Sequence, residues 1–590
     1  MAKRWMISTP SPDCEDLARR LRVPPAIAQV LINRGLSLDG AGEAFLFPQL
    51  KDLHPPQLLP GASEAASRIV DAIHAKTKIV LYGDYDVDGT TGVAVLWHVL
   101  RHAGAEVTFY VPHRIDEGYG LNLEAVERLV KDGAGMIVTV DCGITAVEIA
   151  KVLKDAGVPL IITDHHAPHA ELPDAAVIVH PTVGGTYPNP HLSGAGVAFK
   201  LAWAIAQRLS GTDRVAPEFR ELLKELLPLA AIGTIADVVP LVGENRIIAR
   251  HGLNALPSSS LPGLRLLIES AGLSHALSHE GNGKTCPEPR RISGYDVGFK
   301  LAPRINAAGR MGHARLAVEL FTRADADRAR EIALYLEEHN RSRQATERQI
   351  AKQAYEMIER DNLASDARRA IVLASPGWHA GVIGIVAARI VGRYHRPTVM
   401  IALNNGEGQG SARGIQHFDL ADALSSCSRH LLAYGGHAMA AGLRIAAENV
   451  DAFTESFVSV ANNRLTGDDL VDKLRLDAQL PLKDLTLPTA EALVGLGPFG
   501  IGNPKPKFAT DWLDLAHEPR CVGANQDHLQ VSFQQNGTRI KGIGFGLAGA
   551  IEDLKQHRRC RVAFEPIIND FNGRRSVELQ ILDFQFPKGP

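Results

Sequence analysis

Three apolar runs in this chain end in acidic residues, and that pattern limits the possible folds more than any other feature. Ile79-Val80-Leu81-Tyr82 leads into Gly83-Asp84-Tyr85-Asp86-Val87-Asp88-Gly89, Met136-Ile137-Val138-Thr139-Val140 into Asp141-Cys142-Gly143, and Val158-Pro159-Leu160-Ile161-Ile162-Thr163 into Asp164-His165-His166. If these runs are parallel strands of one sheet, all three acidic clusters emerge at carboxyl ends, where open α/β sheets bind ligands. Carboxylates gathered so closely repel one another unless a cation holds them. Oxygen-rich ligands with one or two imidazoles suit Mn²⁺ or Mg²⁺ better than a thiol-loving metal, so the pattern predicts a metal centre.

The surrounding sequence supports an α/β fold. Ala65, Ile69 and Ile73 recur at helical spacing before the first run. Val107-Thr108-Phe109-Tyr110-Val111 and Ala176-Val177-Ile178-Val179-His180 supply two further strands, and the alternation predicts a parallel sheet with helices on both faces. A largely helical stretch follows from about 195 to 275. Between about 324 and 360 the chain is dense in charge and free of Gly and Pro, which predicts one long, solvated connecting helix. A second α/β unit then begins with Ile371-Val372-Leu373-Ala374, a helix around Gly384 to Ile390, and Thr398-Val399-Met400-Ile401-Ala402. Near the C-terminus Val577, Leu579 and Ile581 alternate with polar residues after the turn Phe571-Asn572-Gly573, predicting a small, mostly antiparallel barrel.

At 590 residues the chain exceeds one core and predicts about three or four domains. The expected divisions are an N-terminal helical and loop region (1–60), a catalytic domain (61–323), the connecting helix (324–362), a smaller α/β domain (363–462) and the barrel (463–590). Six Cys lie far apart with no C-x-x-C, which argues against a zinc knuckle or a disulfide framework. No signal-like h-region and no run of 18 apolar residues occurs, so a cytoplasmic protein without a membrane span is expected. The net charge of -3 decides little, because phosphate binding depends on local charge.

Other readings of the first acidic cluster are weaker. Asp84-Tyr85-Asp86-Val87-Asp88-Gly89 starts like an EF-hand loop, but Val95 stands where a bidentate Glu is needed. Asp86-Val87-Asp88-Gly89-Thr90 resembles a phosphatase nucleophile motif, which leaves Asp164-His165-His166 without a role. Asp237, in the apolar setting Gly233-Thr234-Ile235-Ala236-Asp237-Val238-Val239-Pro240, is a further acid needing a partner.

Together these stretches resemble the DHH/DHHA1 phosphoesterases, and within them the bacterial single-strand-specific exonucleases. The resemblance also rests on Leu192-Ser193-Gly194-Ala195-Gly196-Val197-Ala198-Phe199-Lys200, Arg304-Ile305-Asn306-Ala307-Ala308-Gly309-Arg310, Gly410-Ser411-Ala412-Arg413-Gly414 and Gly435-Gly436-His437-Ala438-Met439-Ala440-Ala441-Gly442. It implies that Asp86, Asp88, Asp141, His165 and Asp237 ligate two divalent ions, Mn²⁺ or Mg²⁺, with Asp141 the bridge. By the same resemblance His166 contacts the scissile phosphate or supports a ligand, and Asp84 stands behind the ligands. Arg304, Asn306, Arg310, Ser411, Arg413 and His437 then bind substrate. Ser193 departs from a frequent Cys, outside the ligand set.

The resemblance further implies a monomeric 5'-to-3' exonuclease on single-stranded DNA, releasing mononucleotides in recombination, mismatch repair and base-excision repair. Its single strand enters a groove between the two α/β domains, fed by an OB-type barrel. Expected partners are a single-strand-binding protein and a helicase. The alternatives are an oligoribonucleotide or cyclic-dinucleotide phosphodiesterase, and a noncatalytic DNA-binding scaffold on the same fold.

Overall fold

The computed structural model describes residues 3–37, 40–113, 117–274, 291–311, 313–571 and 574–587. They divide into two compact units, one of residues 7–337 with 475–590 and the other of 1–6 with 338–474.

In the first unit the apolar runs become β1 (Ile79–Gly83), β2 (Val107–Tyr110), β3 (Met136–Val140), β4 (Leu160–Thr163) and β5 (Val177–Val179), in the spatial order β2-β1-β3-β4-β5. Every pairing is parallel. This is a doubly wound order whose switch point lies between β1 and β3, the place where such sheets bind ligands. β1, β3 and β4 are buried along their whole length, which accounts for runs without polar alternation. On one face pack α1 (Val87–His102), α2 (Gly194–Ser210) and α3 (Pro217–Ala236), whose buried Leu96, Val197, Ile205, Leu226 and Leu229 share a core with Leu81 and Val138. Val126, Ala150 and Leu153 cover the other face.

The barrel closes from five strands: β11 (Leu513–Leu515), β12 (His528–Gln535), β13 (Thr538–Gly544), β14 (Arg559–Phe571) and β15 (Arg574–Gln585). β11 pairs with β14 and β12, β12 with β13, β13 with β15 and β15 back with β14. β14 and β15 pair antiparallel, with Phe571 opposite Arg574, and Asn572 and Gly573 of the expected turn lie outside the described residues. Leu17, Ile27, Leu31 and Phe45 from the N-terminal helices share one core with Phe508, Phe533 and Phe564 of the barrel. The N-terminal helical and loop region is therefore a pad on the barrel.

The barrel in turn docks on the parallel-sheet domain. Buried Arg246 donates to the carbonyls of Phe45 and Gly497, and Arg250 to those of Gly495 and Gly497. Guanidinium groups suit this task because several fixed donors can satisfy turn carbonyls at once.

The second unit carries a mixed sheet of β6 (Ile371–Pro376), β7 (Thr398–Asn404), β8 (Glu407–Arg413), β9 (Ala433–Gly436) and β10 (Ala440–Ala446), ordered β9-β10-β8-β7-β6. The helix Ala380–Tyr394 packs on it through Val382, Val386 and Ile390. The charged segment is one helix, Ala326–Arg360, as expected, but it is not wholly solvated. Its Ile350, Ala354 and Ile358 pack with Trp378 and Ile383, and Arg343 is buried against Glu347 at 2.6 Å and Asn340 at 3.0 Å. Pairing lets charged residues enter a core that apolar periodicity alone does not reveal.

Candidate metal centre and anion-binding face

Each acidic strand end continues its strand by one hydrogen bond. The N–H of Asp84 donates to Val140 O, that of Asp141 to Thr163 O and that of Asp164 to Val179 O, so three carboxylates line up across adjacent strands. Asp141 adopts φ 64° and Gly143 φ 109°, a sharp exit from β3. A left-handed non-Gly residue costs energy and recurs at functional sites.

Asp84, Asp86 and Asp141 each bring one ligand atom within 4.8 Å of the others, and so do Asp88, His165 and Asp237. The groups abut where His165 Nε2 lies 3.1 Å from Asp141 Oδ1, 3.5 Å from Asp237 Oδ2 and 3.9 Å from Asp88 Oδ2. Asp84, expected behind the ligands, thus stands beside Asp86 and Asp141. His166 joins Asp141 and His165 in a third such group.

Backbone donors hold these side chains. Asp86 caps α1 by accepting from Gly89 N at 3.0 Å. Asp88 accepts the N–H groups of Gly194 and Ala195 at the start of α2, and Ser193 caps that helix through Gly196 N. A helix N-terminus favours negative charge. Asp164 accepts from the N–H groups of Ile144, His165 and His166 and bonds His166 Nδ1 at 2.8 Å. Burial would raise the pKa of Asp164, but these hydrogen bonds and the charge of His166 hold it below the usual carboxylate value.

The other acids are pushed upward. Burial, then the charges of Asp88, Asp86, Asp237 and Asp84, raises Asp141 well above its ordinary value. Burial followed by Asp88 and Asp86 lifts Asp237 to about 9, and burial with Asp86 lifts Asp88 to about 7 despite its two N–H partners. His165 falls to about 4 through burial and the neighbouring His166. Asp141 Oδ1, His165 Nε2 and Asp237 Oδ2 are buried with no hydrogen-bond partner. Neutral imidazole and crowded carboxylate oxygens are the donors that hard divalent cations take, and buried atoms left over in this way fit such ions.

Sequence reading missed several contributors. A Cβ at Gly194 would lie 2.4 Å from Asp141 Oδ1, and one at Gly233 2.5 Å from Asp88 Oδ1. Gly194 leaves room for a carboxylate, and Gly233 for Asp88 together with Ala195 Cβ and Thr91 Oγ1. Gly194 sits in a stretch that carried the resemblance, but close approach has no local signal. Tyr119 lies with its hydroxyl 3.1 Å from His166 Nδ1 and 3.3 Å from Asp141 O, and nothing in its neighbourhood predicts that.

The expected substrate residues fall in both units. In the first, Arg304 has its Nε 2.7 Å from Glu337 Oε2 and donates to the carbonyls of Lys300 and Ser270, so its guanidinium has partners within the fold. Asn306 is half-buried on the same helical run, and the side chain of Arg310 lies outside the described residues. In the second unit Ser411 and Arg413 sit on β8, with Ser411 opposite Gly442 and Arg413 opposite Ala440. Arg413 donates to Ser411 Oγ at 3.2 Å. His437 follows the exposed strand β9, its N–H bonded to Ala440 O. A Cβ at Gly384 would lie 2.7 Å from Ser411 Oγ and 3.0 Å from Arg413 Nη2, which makes that glycine part of the same face.

Fold and site together define a DHH-type phosphoesterase. Family models match the DHH family N-terminal domain over residues 78–234, the DHHA1 domain over 368–463 and the RecJ OB domain over 476–583. The chain is 38% identical over 584 residues to the single-stranded-DNA-specific exonuclease RecJ of Bacillus subtilis, covering 98% of this chain and 70% of that protein. It is 32% identical to the Escherichia coli protein of that name, covering 96% of each. The structure of RecJ from Thermus thermophilus in complex with Mn²⁺ superposes with a TM-score of 0.82 at 32% identity, over 99% of this chain and 80% of that one. A Mg²⁺ complex from the same organism matches with a TM-score of 0.75 at 31% identity, over 99% and 79%. The chain belongs to the RecJ family. Among the described residues no helix is long and apolar enough to cross a membrane.

Proposed function

We propose that this protein is a metal-dependent exonuclease specific for single-stranded DNA, which digests from the 5' end and releases 5'-mononucleotides. The observation that carries the reading is the pair of abutting ligand groups, Asp84-Asp86-Asp141 and Asp88-His165-Asp237, at the switch point of the sheet. These residues would hold two divalent cations, Mn²⁺ or Mg²⁺, and Asp141 of the first group lies 3.1 Å from His165 of the second. Bound there, such ions supply the Lewis-acid and water-activating chemistry of two-metal phosphodiester cleavage.

The protein's own residues do the rest. The α2 N-terminus keeps Asp88 in place, and Asp164 fixes both His165 and His166 through their backbone N–H groups. Since Nδ1 of His166 is engaged by Asp164, its Nε2 is the nitrogen left to meet the scissile phosphate. Burial works against protonation of His166, but Asp164, Asp86 and Asp88 outweigh it and raise its pKa, which suits a hydrogen-bond donor to an anion. Ser411, Arg413 and His437 hold phosphates of the strand, Arg413 as a planar fork.

The 5' polarity, the mononucleotide product and a role in recombination and repair are part of this reading and rest on the family relation. So do the single-strand-binding protein and helicase as partners. The closed OB barrel favours a polymeric single strand over a dinucleotide, because such barrels track extended strands. Digestion of 5'-labelled and 3'-labelled single-stranded and duplex DNA with Mn²⁺ tests the proposal. Immediate release of labelled mononucleotide from the 5' end of single strands alone is expected. Turnover confined to dinucleotides would overturn it in favour of a small-substrate phosphodiesterase.

A further inference from the structure

The helical run 294–311 joins the barrel side of the first unit to the carboxylates. At its start, the position of a Cβ on Gly294 lies 3.4 Å from Phe499 O, in the loop that docks the barrel. At its end, Gly309 sits so close to Tyr85, between Asp84 and Asp86, that a Cβ would meet Tyr85 O at 2.8 Å. Fifteen residues of helix separate the two points by about 22 Å.

Two large rings stand out from the barrel end of this run. Tyr295 is 65% exposed and Phe299 68% exposed, and the rings stack on each other with centroids 4.5 Å apart and planes 23° apart. Scattered single exposed aromatics are ordinary, but a pre-stacked pair this exposed leaves a large apolar surface in water. The backbone beneath them is firmly held. Ser293 and Asp296 form a capping box, Lys300 pairs with Asp296 at 2.7 Å, and Val297–Leu301 is a π-helical turn, a feature that recurs at functional sites.

The flanks suit a polyanion with apolar bases. Arg291 is exposed two residues before the capping box of the run, and after burial its charge lowers the pKa of Arg250, whose guanidinium binds the carbonyls of Gly495 and Gly497. The loop after Phe499 is joined to the segment after Asp237, since Leu241 N–H donates to Ile501 O and a Cβ on Gly502 would lie 3.1 Å from Val242, and Ile501, Val242 and Val238 are exposed there.

We propose that Tyr295 and Phe299 form a base-stacking platform that grips the single strand between the barrel and the metal centre. The proposal rests on the exonuclease reading and extends it to a substrate site. Stacking on aromatic faces is tolerant of sequence because every base offers a π-face. The pair thus gives hold without selecting bases.

The test uses the full-length protein in EDTA and fluorescence anisotropy with a labelled oligothymidylate and with an abasic strand of equal length. Phe299→Ala and Tyr295→Ala should each weaken oligothymidylate binding about tenfold. Phe299→Trp should retain it, and the abasic strand should bind wild type and variants alike. Unchanged affinity in both alanine variants overturns the platform, as does an equal loss on the abasic strand. A wild type that digests single strands beside such unchanged variants leaves the exonuclease reading standing. A wild type that neither binds nor digests single strands overturns both.

Discussion

The carboxylate centre and the Ser411-Arg413-His437 face solve opposite electrostatic problems. In the first, like charges are packed at buried strand ends, so the fold spends backbone N–H donors on Asp86, Asp88 and Asp164 and tolerates a left-handed Asp141. In the second, Ser411 and Arg413 lie two residues apart on β8, where Gly442 and Gly435 pair across the strands beside Ser411 and β9, which leads to His437, stays exposed. Repulsive groups need a rigid cradle and a cation. Groups that attract their ligand need only room for it.

The comparison breaks most sharply at Asp141. Asp141→Ala should abolish nuclease activity and Mn²⁺ binding measured by titration, while the metal-free protein melts higher because a carboxyl that burial and its acidic neighbours disfavour is gone. A variant that keeps stoichiometric Mn²⁺ binding would remove Asp141 from the ligand set. Gly194→Ala tests the cradle alone, since its methyl group would strike the Asp141 carboxylate. Displaced supporting groups typically cost about 10–100-fold in metal affinity, and a drop in that range is expected by calorimetry with the fold intact by circular dichroism. An unchanged affinity would mean that the carboxylate has slack.

On the other face Arg413→Lys should raise KM for single strands about tenfold while Mn²⁺ affinity stays at the wild-type value, because one ammonium replaces a planar fork. Parallel loss of metal affinity would contradict the separation of roles. The smallest effect is thermal. Asp237 at about 9 and Asp88 at about 7 lie above their ordinary values, so folding takes up protons and the stability they contribute is lost as pH rises through that window. His165, lowered to about 4, is neutral throughout pH 7 to 9 and adds no slope there. The gap in Tm between Mn²⁺-loaded and metal-free protein should therefore widen by a few degrees from pH 7 to pH 9. A constant gap would show that the carboxylates are ionised without a cation.

Much of the first unit was legible because burial on both faces writes itself into continuous apolar runs, and each run ended in an acid that the structure places at a carboxyl end. The family resemblance named Asp86, Asp88, Asp141, His165 and Asp237 as ligands, and in the fold their side-chain atoms fall into adjoining groups. The N-terminal helices were not recognised as part of the barrel core, because Leu17, Ile27 and Leu31 meet Phe533 and Phe564 only after roughly five hundred residues of chain. Arg343 and Glu347 looked solvated because charge alone does not show whether a partner is present.

Periodicity and strand-end chemistry by themselves indicated the α/β class and acids gathered at strand ends, since both depend on local pattern and residue type, while the assignment of particular acids as ligands came from the family resemblance. Only tertiary structure decided which glycines admit the carboxylates, that Asp84 stands with Asp86 and Asp141, that Tyr119 meets His166, and that Arg304 pairs with Glu337. Those facts are distances between residues remote in the chain, and a distance is set by how elements pack, which no local run of residues encodes.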